Sequence, residues 1–184
     1  MEQTITIEDE EATINIRPAI IADIDQLTAL NAKWQLASLN GNTEKGFVGG
    51  AFNSDFFELL IQRREVIVAY HHDNLIGYML SVNHLDAGLL KVHKEEAEKL
   101  KAHGILMPTD NVAVGIQTAV ELAYHGTGLI SLIRNEFKLL LKDRYQYFFT
   151  TISKENIRSF TSATKFGWKQ VGENEHYYYL TLVV

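Results

Sequence analysis

The stretch Val120-Glu121-Leu122-Ala123-Tyr124-His125-Gly126-Thr127-Gly128-Leu129 decides how the chain is read. Before it, Asn111 to Val120 reads as a strand. After it, Gly128 to Leu141 reads as a helix, with Leu129, Leu132, Ile133, Phe137, Leu140 and Leu141 on one face and Arg134, Asn135 and Lys138 opposite. Two glycines two apart let the backbone approach a ligand with no Cβ in the way. Amide N–H groups at the helix start, backed by the positive end of its dipole, suit an anion such as a pyrophosphate. A plain strand-to-helix turn that needs only permissive φ angles fits the same residues.

Working outward, Met1 to Ala12 is acidic and reads as a frayed tail, which leaves 13–184 as a single domain. Thr13 to Arg17 alternates as a strand and stops at Pro18. A helix follows from Asp23, with Asp23 and Asp25 near its positive end and Ile24, Leu27, Leu30 and Trp34 on one face. Ser38 to Gly50 is a Gly-rich loop. Asn53 or Ser54 caps a second helix bearing Phe56, Leu59 and Leu60. Glu65 to Tyr70 and Leu75 to Val82 form a hairpin about His71-His72-Asp73-Asn74. The turn histidines have no third ligand at metal spacing and are expected in solvent.

His84 to Asp110 is an insertion carrying a charged, mostly solvated helix, Lys91 to His103, with Glu95 and Lys99 four apart. Tyr145 to Ile152 is a strand. Ser153 caps a last helix that ends at Gly167, and Trp168 to Val171 and Glu175 to Leu182 close the chain as strands. The order, βα(α)ββ then βαβαββ, means an α/β or α+β domain with a mixed sheet.

Composition narrows the function. The 184 residues carry a formal net charge of -6, which argues against non-specific binding to nucleic acid. With no cysteine, there is no thiolate nucleophile and no cysteine zinc site, as fits an intracellular, cytoplasmic protein. No apolar run is long enough to span a membrane and no signal peptide is evident.

A second group lies downstream: Ser153, Asn156, Ser159 and Phe160, then Lys165-Phe166-Gly167-Trp168. Asn156 falls in the first helical turn, where its amide can serve a cap or a ligand equally well. Together and in this order, these pieces resemble the GNAT superfamily of N-acetyltransferases over nearly the whole chain. Ile16-Arg17-Pro18-Ala19 with Asp25 and Leu27 resembles the family's opening, and the hairpin through Ile76-Gly77-Tyr78 its second and third strands. Ala123 to Gly128 sits where the family has its Gln/Arg-x-x-Gly-x-Gly/Ala loop. Asn156 to Trp168 resembles its Asn-x-x-Ala…Gly-Phe stretch.

The resemblance implies a mainly antiparallel sheet flanked by helices and splayed at the fourth and fifth strands. Pantetheine would enter between the strand ending at Ala119 and Val120 and the Tyr145 strand. Amides from His125 through Gly126, Thr127 and Gly128 to Leu129 would hold the pyrophosphate of acetyl-CoA, with Asn156 on the pantetheine arm. No metal is implied. The implied partner is a small-molecule or peptide amine, and a homodimer is left open.

Three positions depart from the family pattern. Ala123 replaces the loop's Gln or Arg, Ala163 the Tyr that often serves as the acid, and Val114 a Glu base, so the acid and base are unassigned. The alternative is an acyl-CoA-binding sensor or interaction module on the same fold. A dinucleotide site is a poor fit, because Ser131 stands where its third glycine belongs and the loop follows a late strand.

Overall fold

A computed structural model describes residues 2–7, 10–44, 46–83, 89–106 and 111–184, with side chains from 93 onward in the segment that begins at 89. The strands are β1 (Glu2–Ile7), β2 (Glu10–Pro18), β3 (Val66–His71), β4 (Asn74–Leu80), β5 (Val112–Val114), β6 (Gln117–Val120), β7 (Tyr147–Ser153), β8 (Lys169–Glu173) and β9 (Tyr177–Val183). The helices are α1 (Ile24–Lys33), α2 (Ser54–Gln62), α3 (Leu89–Ala102), α4 (Leu129–Leu141) and α5 (Ile157–Lys165). One sheet has the order β1-β2-β3-β4-β6 and the other β5-β7-β9-β8; of the described pairings only β5 with β7 is parallel.

The division between the sheets falls inside what the sequence presents as one strand. Asn111 to Val120 breaks at Gly115, whose φ of +64 places it in the left-handed region. A Cβ there would overlap Val82, so only glycine fits. Upstream of the break, Ala113 faces Phe148 across the β5–β7 ladder; downstream, Ala119 faces Tyr78 across the β4–β6 ladder. The last ties to β7 at the break are Gly115 N–H to Phe149 O (3.0 Å) and Thr150 Oγ1–H to Ile116 O (3.0 Å). Beyond them β6 and β7 part, and the sheet is splayed as the resemblance implied.

Alternation sends side chains to two cores. Val66, Val68 and Tyr70 face α1 and α2 in one, while Ile67 and Ala69 join Ile133, Phe137 and Leu141 of α4 in the other. On α2 the buried face is Phe57, Leu60 and Ile61, one position on from the expected set; Phe56 is exposed. Asn53 does cap that helix, its Oδ1 accepting from Phe56 N–H at 3.0 Å. α3 is more than a solvated helix: His93, Ala97 and Leu100 are buried along one stripe. Its described ion pairs are Glu96–Lys99 and Glu98–Lys101. Parts of the insertion 84–110 lie outside the described residues.

Two further readings change. Glu2 to Ile7, expected as a frayed tail, pairs in register with β2 and puts Ile5 in the core; Thr4 and Ile5 are β formers, and β2 offers a free edge. Asp23 stands at the mouth of α1, as expected, but its main role is another. It lies in a 3₁₀ turn (Ile21–Asp23), 2% exposed, and accepts from Arg17 Nη1 (2.7 Å), Arg17 Nη2 (2.8 Å), Ile20 N–H (2.8 Å) and Tyr70 Oη (2.8 Å). Burial alone would raise its pKa. The hydrogen bonds from Arg17, Ile20 and Tyr70, with the Arg17 charge, outweigh burial and hold the carboxyl below its usual value.

Candidate active site

The loop between β6 and α4 keeps its glycines for two reasons. Gly126 and Gly128 have φ of +87 and +86, and a Cβ at either would meet no atom within 4 Å. The left-handed backbone demands glycine, while the space above it is open. Thr127 tightens the loop, its Oγ1–H donating to Tyr124 O at 2.9 Å and its oxygen taking a long contact from Leu129 N–H at 3.4 Å. Among the described residues, the amides of Gly126, Thr127, Gly128 and Ile130 have no acceptor in the chain. His125 N–H does not join them, because it donates to Leu122 O (3.1 Å).

Gly126, Gly128 and Ile130 line a cavity of about 580 Å³ between α4, α5 and β6. Ala119, Val120, His125, Gly126, Gly128, Leu129 and Asn156 all line it; Thr127 alone of the expected residues does not. Among the described residues its wall has Arg134, Arg158 and Lys165 and no Asp or Glu, so the cavity is cationic although the protein is acidic. The His125 ring stacks on Trp34, with centroids 5.6 Å apart. Its Nε2–H donates to Val120 O (3.0 Å) and its Nδ1 accepts from Arg158 Nη2 (2.8 Å), because a carbonyl can only accept and a guanidinium can only donate.

Asn156, and not Ser153, caps α5. Its Oδ1 accepts from Ser159 N–H (3.2 Å), while its Nδ2 donates to Phe47 O (2.8 Å) across 109 residues. Ser153 Oγ accepts from Glu155 N–H at 3.3 Å and merely shapes the approach to the helix. The Asn156 amide thus pins the Gly46-Phe47 loop over the cavity as well as capping a helix.

A second cavity of about 330 Å³ continues past Phe47, Thr118 and Asn156 to the break at Gly115. Gln117 holds its far rim: Oε1 accepts from Gly50 N–H (2.9 Å), and Nε2 donates to Tyr78 Oη (2.8 Å), which also accepts from Asn31 Nδ2 (2.9 Å). Burial pushes the Tyr78 hydroxyl up to about 12, against the pull of its Asn31 and Gln117 hydrogen bonds. Ala163 is on the wall, 4% exposed, and offers no donor. Val114, likewise buried, lies just before the break and offers no base.

Sequence reasoning missed two residues here. His93 of α3 lines the second cavity, and burial pushes its pKa down to about 4, so it stays neutral near pH 7. The signal was faint, a lone histidine on a charged helix. Arg134 was expected on the polar face of α4 but lines both cavities, with its guanidinium over the Phe166 ring at 4.3 Å. His71 also departs from the expected solvated pair, since its Nδ1 meets Tyr124 Oη at 2.8 Å. Among the described residues no group of acidic or histidine side chains could hold a metal ion, and no helix is long and apolar enough to cross a membrane.

No family model and no curated protein sequence matches the chain. Solved structures do. A GNAT-family acetyltransferase from Listeria monocytogenes matches with a TM-score of 0.65 at 17% identity, over 99% of this chain and 100% of that one. An N-acetyltransferase from Staphylococcus aureus Mu50 matches with a TM-score of 0.60 at 16% identity, over 92% and 98%. The yncA protein of Salmonella typhimurium, solved with its cofactor acetyl-CoA, matches with a TM-score of 0.54 at 15% identity, over 92% and 93%. The chain therefore has the fold of the GNAT acetyltransferases.

Proposed function

We propose that this protein binds acetyl-CoA, or a related acyl-CoA, and transfers the acyl group directly to an amine. The observation that supports the reading is the set of amides at Gly126, Thr127, Gly128 and Ile130, without acceptors among the described residues, beside a cationic cavity that runs to the gap between β6 and β7. Amides of Gly126, Thr127, Gly128 and Ile130 take the pyrophosphate at the positive end of α4. Pantetheine lies along β6 in the place a paired strand would occupy, and Asn156 positions it by holding the Phe47 loop above it.

The acyl-CoA supplies an activated thioester carbonyl. The amine lone pair forms the new C–N bond, the C–S bond breaks, and the sulfur leaves with the electron pair. The amine gives up one proton, and the thiolate takes up one. Ala163 and Val114 can carry neither proton, so water in the second cavity or the neutral His93 ring is left to move them.

Thermal melts test the binding. At about 100 times the dissociation constant, CoA and acetyl-CoA should stabilise the fold by roughly 2.7 kcal/mol, and NADH by nothing. A folded protein with no shift in millimolar CoA would overturn the reading. The buried, donor-free Ala163 supports a second reading, a binder of acyl-CoA without turnover. Clean binding with no acyl transfer across a panel of amines would select it.

A further inference from the structure

Arg134 is the group that the proposed transfer does not use. Its Nε and Nη1 are buried and have no hydrogen-bond partner among the described residues, and its guanidinium lies over the face of Phe166. Among the described residues, no acidic side chain lines the larger cavity and Glu155 alone lines the smaller. A guanidinium taken from water without a counter-charge destabilises a fold, and here burial lowers its pKa to about 10. Packing alone gives no reason for it, since Met would fill the same space.

Its position narrows what would relieve the charge. Arg134 follows the first residue of α4 by five positions, about 7.5 Å along the axis at 1.5 Å per residue, so it lies deeper than the amides at the helix start. It lines both cavities, which places it at their junction, the region the reacting end of a thioester would reach. Trp168, also on the wall of the inner cavity, is 5% exposed and its Nε1–H is likewise unpartnered. Where Ala163 ends at its Cβ, the same wall leaves room. This end of the cleft is thus small-walled and rich in unmatched donors.

We infer that the acyl group this protein accepts ends in a carboxylate, a short dicarboxylic acyl chain held by Arg134 and Trp168. The inference rests on the acyl-CoA reading. Succinyl-CoA and butyryl-CoA probe it, because their chains have equal length and differ in the terminal charge. Calorimetry on the full chain should show succinyl-CoA binding at least tenfold tighter than butyryl-CoA.

Arg134→Met should abolish that preference, weakening succinyl-CoA at least tenfold more than CoA or butyryl-CoA, and melt no lower than the native protein. Arg134→Lys should restore part of the preference. Equal affinities in the native protein would overturn the inference, as would a preference that survives Arg134→Met. So would a loss in Arg134→Met shared equally by CoA and both thioesters, which would make Arg134 a pantetheine contact. If none of the three compounds binds native protein, the acyl-CoA reading itself falls.

Discussion

Arg17 and Arg134 are both part-buried arginines, and their surroundings are opposite. Arg17 meets Asp23 through two hydrogen bonds, and Asp23 in turn satisfies the Ile20 amide and the Tyr70 hydroxyl. Every strong group in that cluster has its match, which is what a fold requires of buried charge. Around Arg134 the tally is reversed. Among the described residues, its Nε and Nη1, the Trp168 and Trp34 indoles and the amides of Gly126, Thr127, Gly128 and Ile130 are donors without acceptors. The first region is matched within the chain, whereas the second leaves its donors unmatched among the described residues.

The largest effect should come from breaking the matched region. Asp23→Ala leaves the Arg17 charge and the Tyr70 hydroxyl without their acceptor, at about 3 kcal/mol, the low end for a broken buried pair because Arg17 is partly exposed. Urea unfolding measures it, and a loss under 1 kcal/mol would end the contrast. The same pair predicts an acid response. The folded pKa of Asp23 lies below its unfolded value of 3.8, so its stabilisation is complete above that value. It fades as pH falls through the folded pKa. Asp23→Asn should be less stable at pH 7 and should lack this component of the acid loss, read from urea midpoints between pH 2 and 7.

Ala163→Tyr sharpens the other side. Its Cβ lies in a packed core at the edge of the inner cavity. A tyrosine there either finds the cavity and raises acetyl transfer, or overpacks at about 1–3 kcal/mol. Turnover and melting temperature taken together distinguish the two, and no change in either would show that this position does not face the thioester.

Gly128→Ala should weaken CoA binding at least tenfold, roughly 1.4 kcal/mol, measured by calorimetry. Folding should suffer as well, because the left-handed φ at 128 is strained for alanine. Undiminished CoA affinity in a folded variant would reduce the loop to a turn. The smallest change belongs to Arg134→Met without ligand. Removing an unpaired charge should leave stability within about 1 kcal/mol of native or raise it, where the loss of a matched arginine would lower it.

The readability of these regions follows the range of the forces behind them. Periodicity is local, so α4, the β3–β4 hairpin and the Gly-x-Gly turn at the mouth of α4 are plain in the sequence, whereas the choice between Asn53 and Ser54 as the α2 cap is not. The α2 face shifted by one position because Phe56, Phe57, Leu59, Leu60 and Ile61 are all apolar, and only docking on α1 and the sheet chooses among them. Ser153 and Asn156 are both good cap residues; the choice fell to Asn156, whose free amide end finds Phe47.

By itself, the sequence determined the mixed α/β architecture, the run of helices and the Gly-x-Gly turn before α4, because each is written in spacing along one short segment. Tertiary structure alone decided that Asn111 to Val120 divides at Gly115, since the reason is the side chain of Val82, more than thirty residues earlier. It alone decided which arginine is matched. A charge has a partner or lacks one only through what the fold brings beside it, and no spacing along the chain records that Asp23 comes to Arg17 while, among the described residues, no carboxylate comes to Arg134.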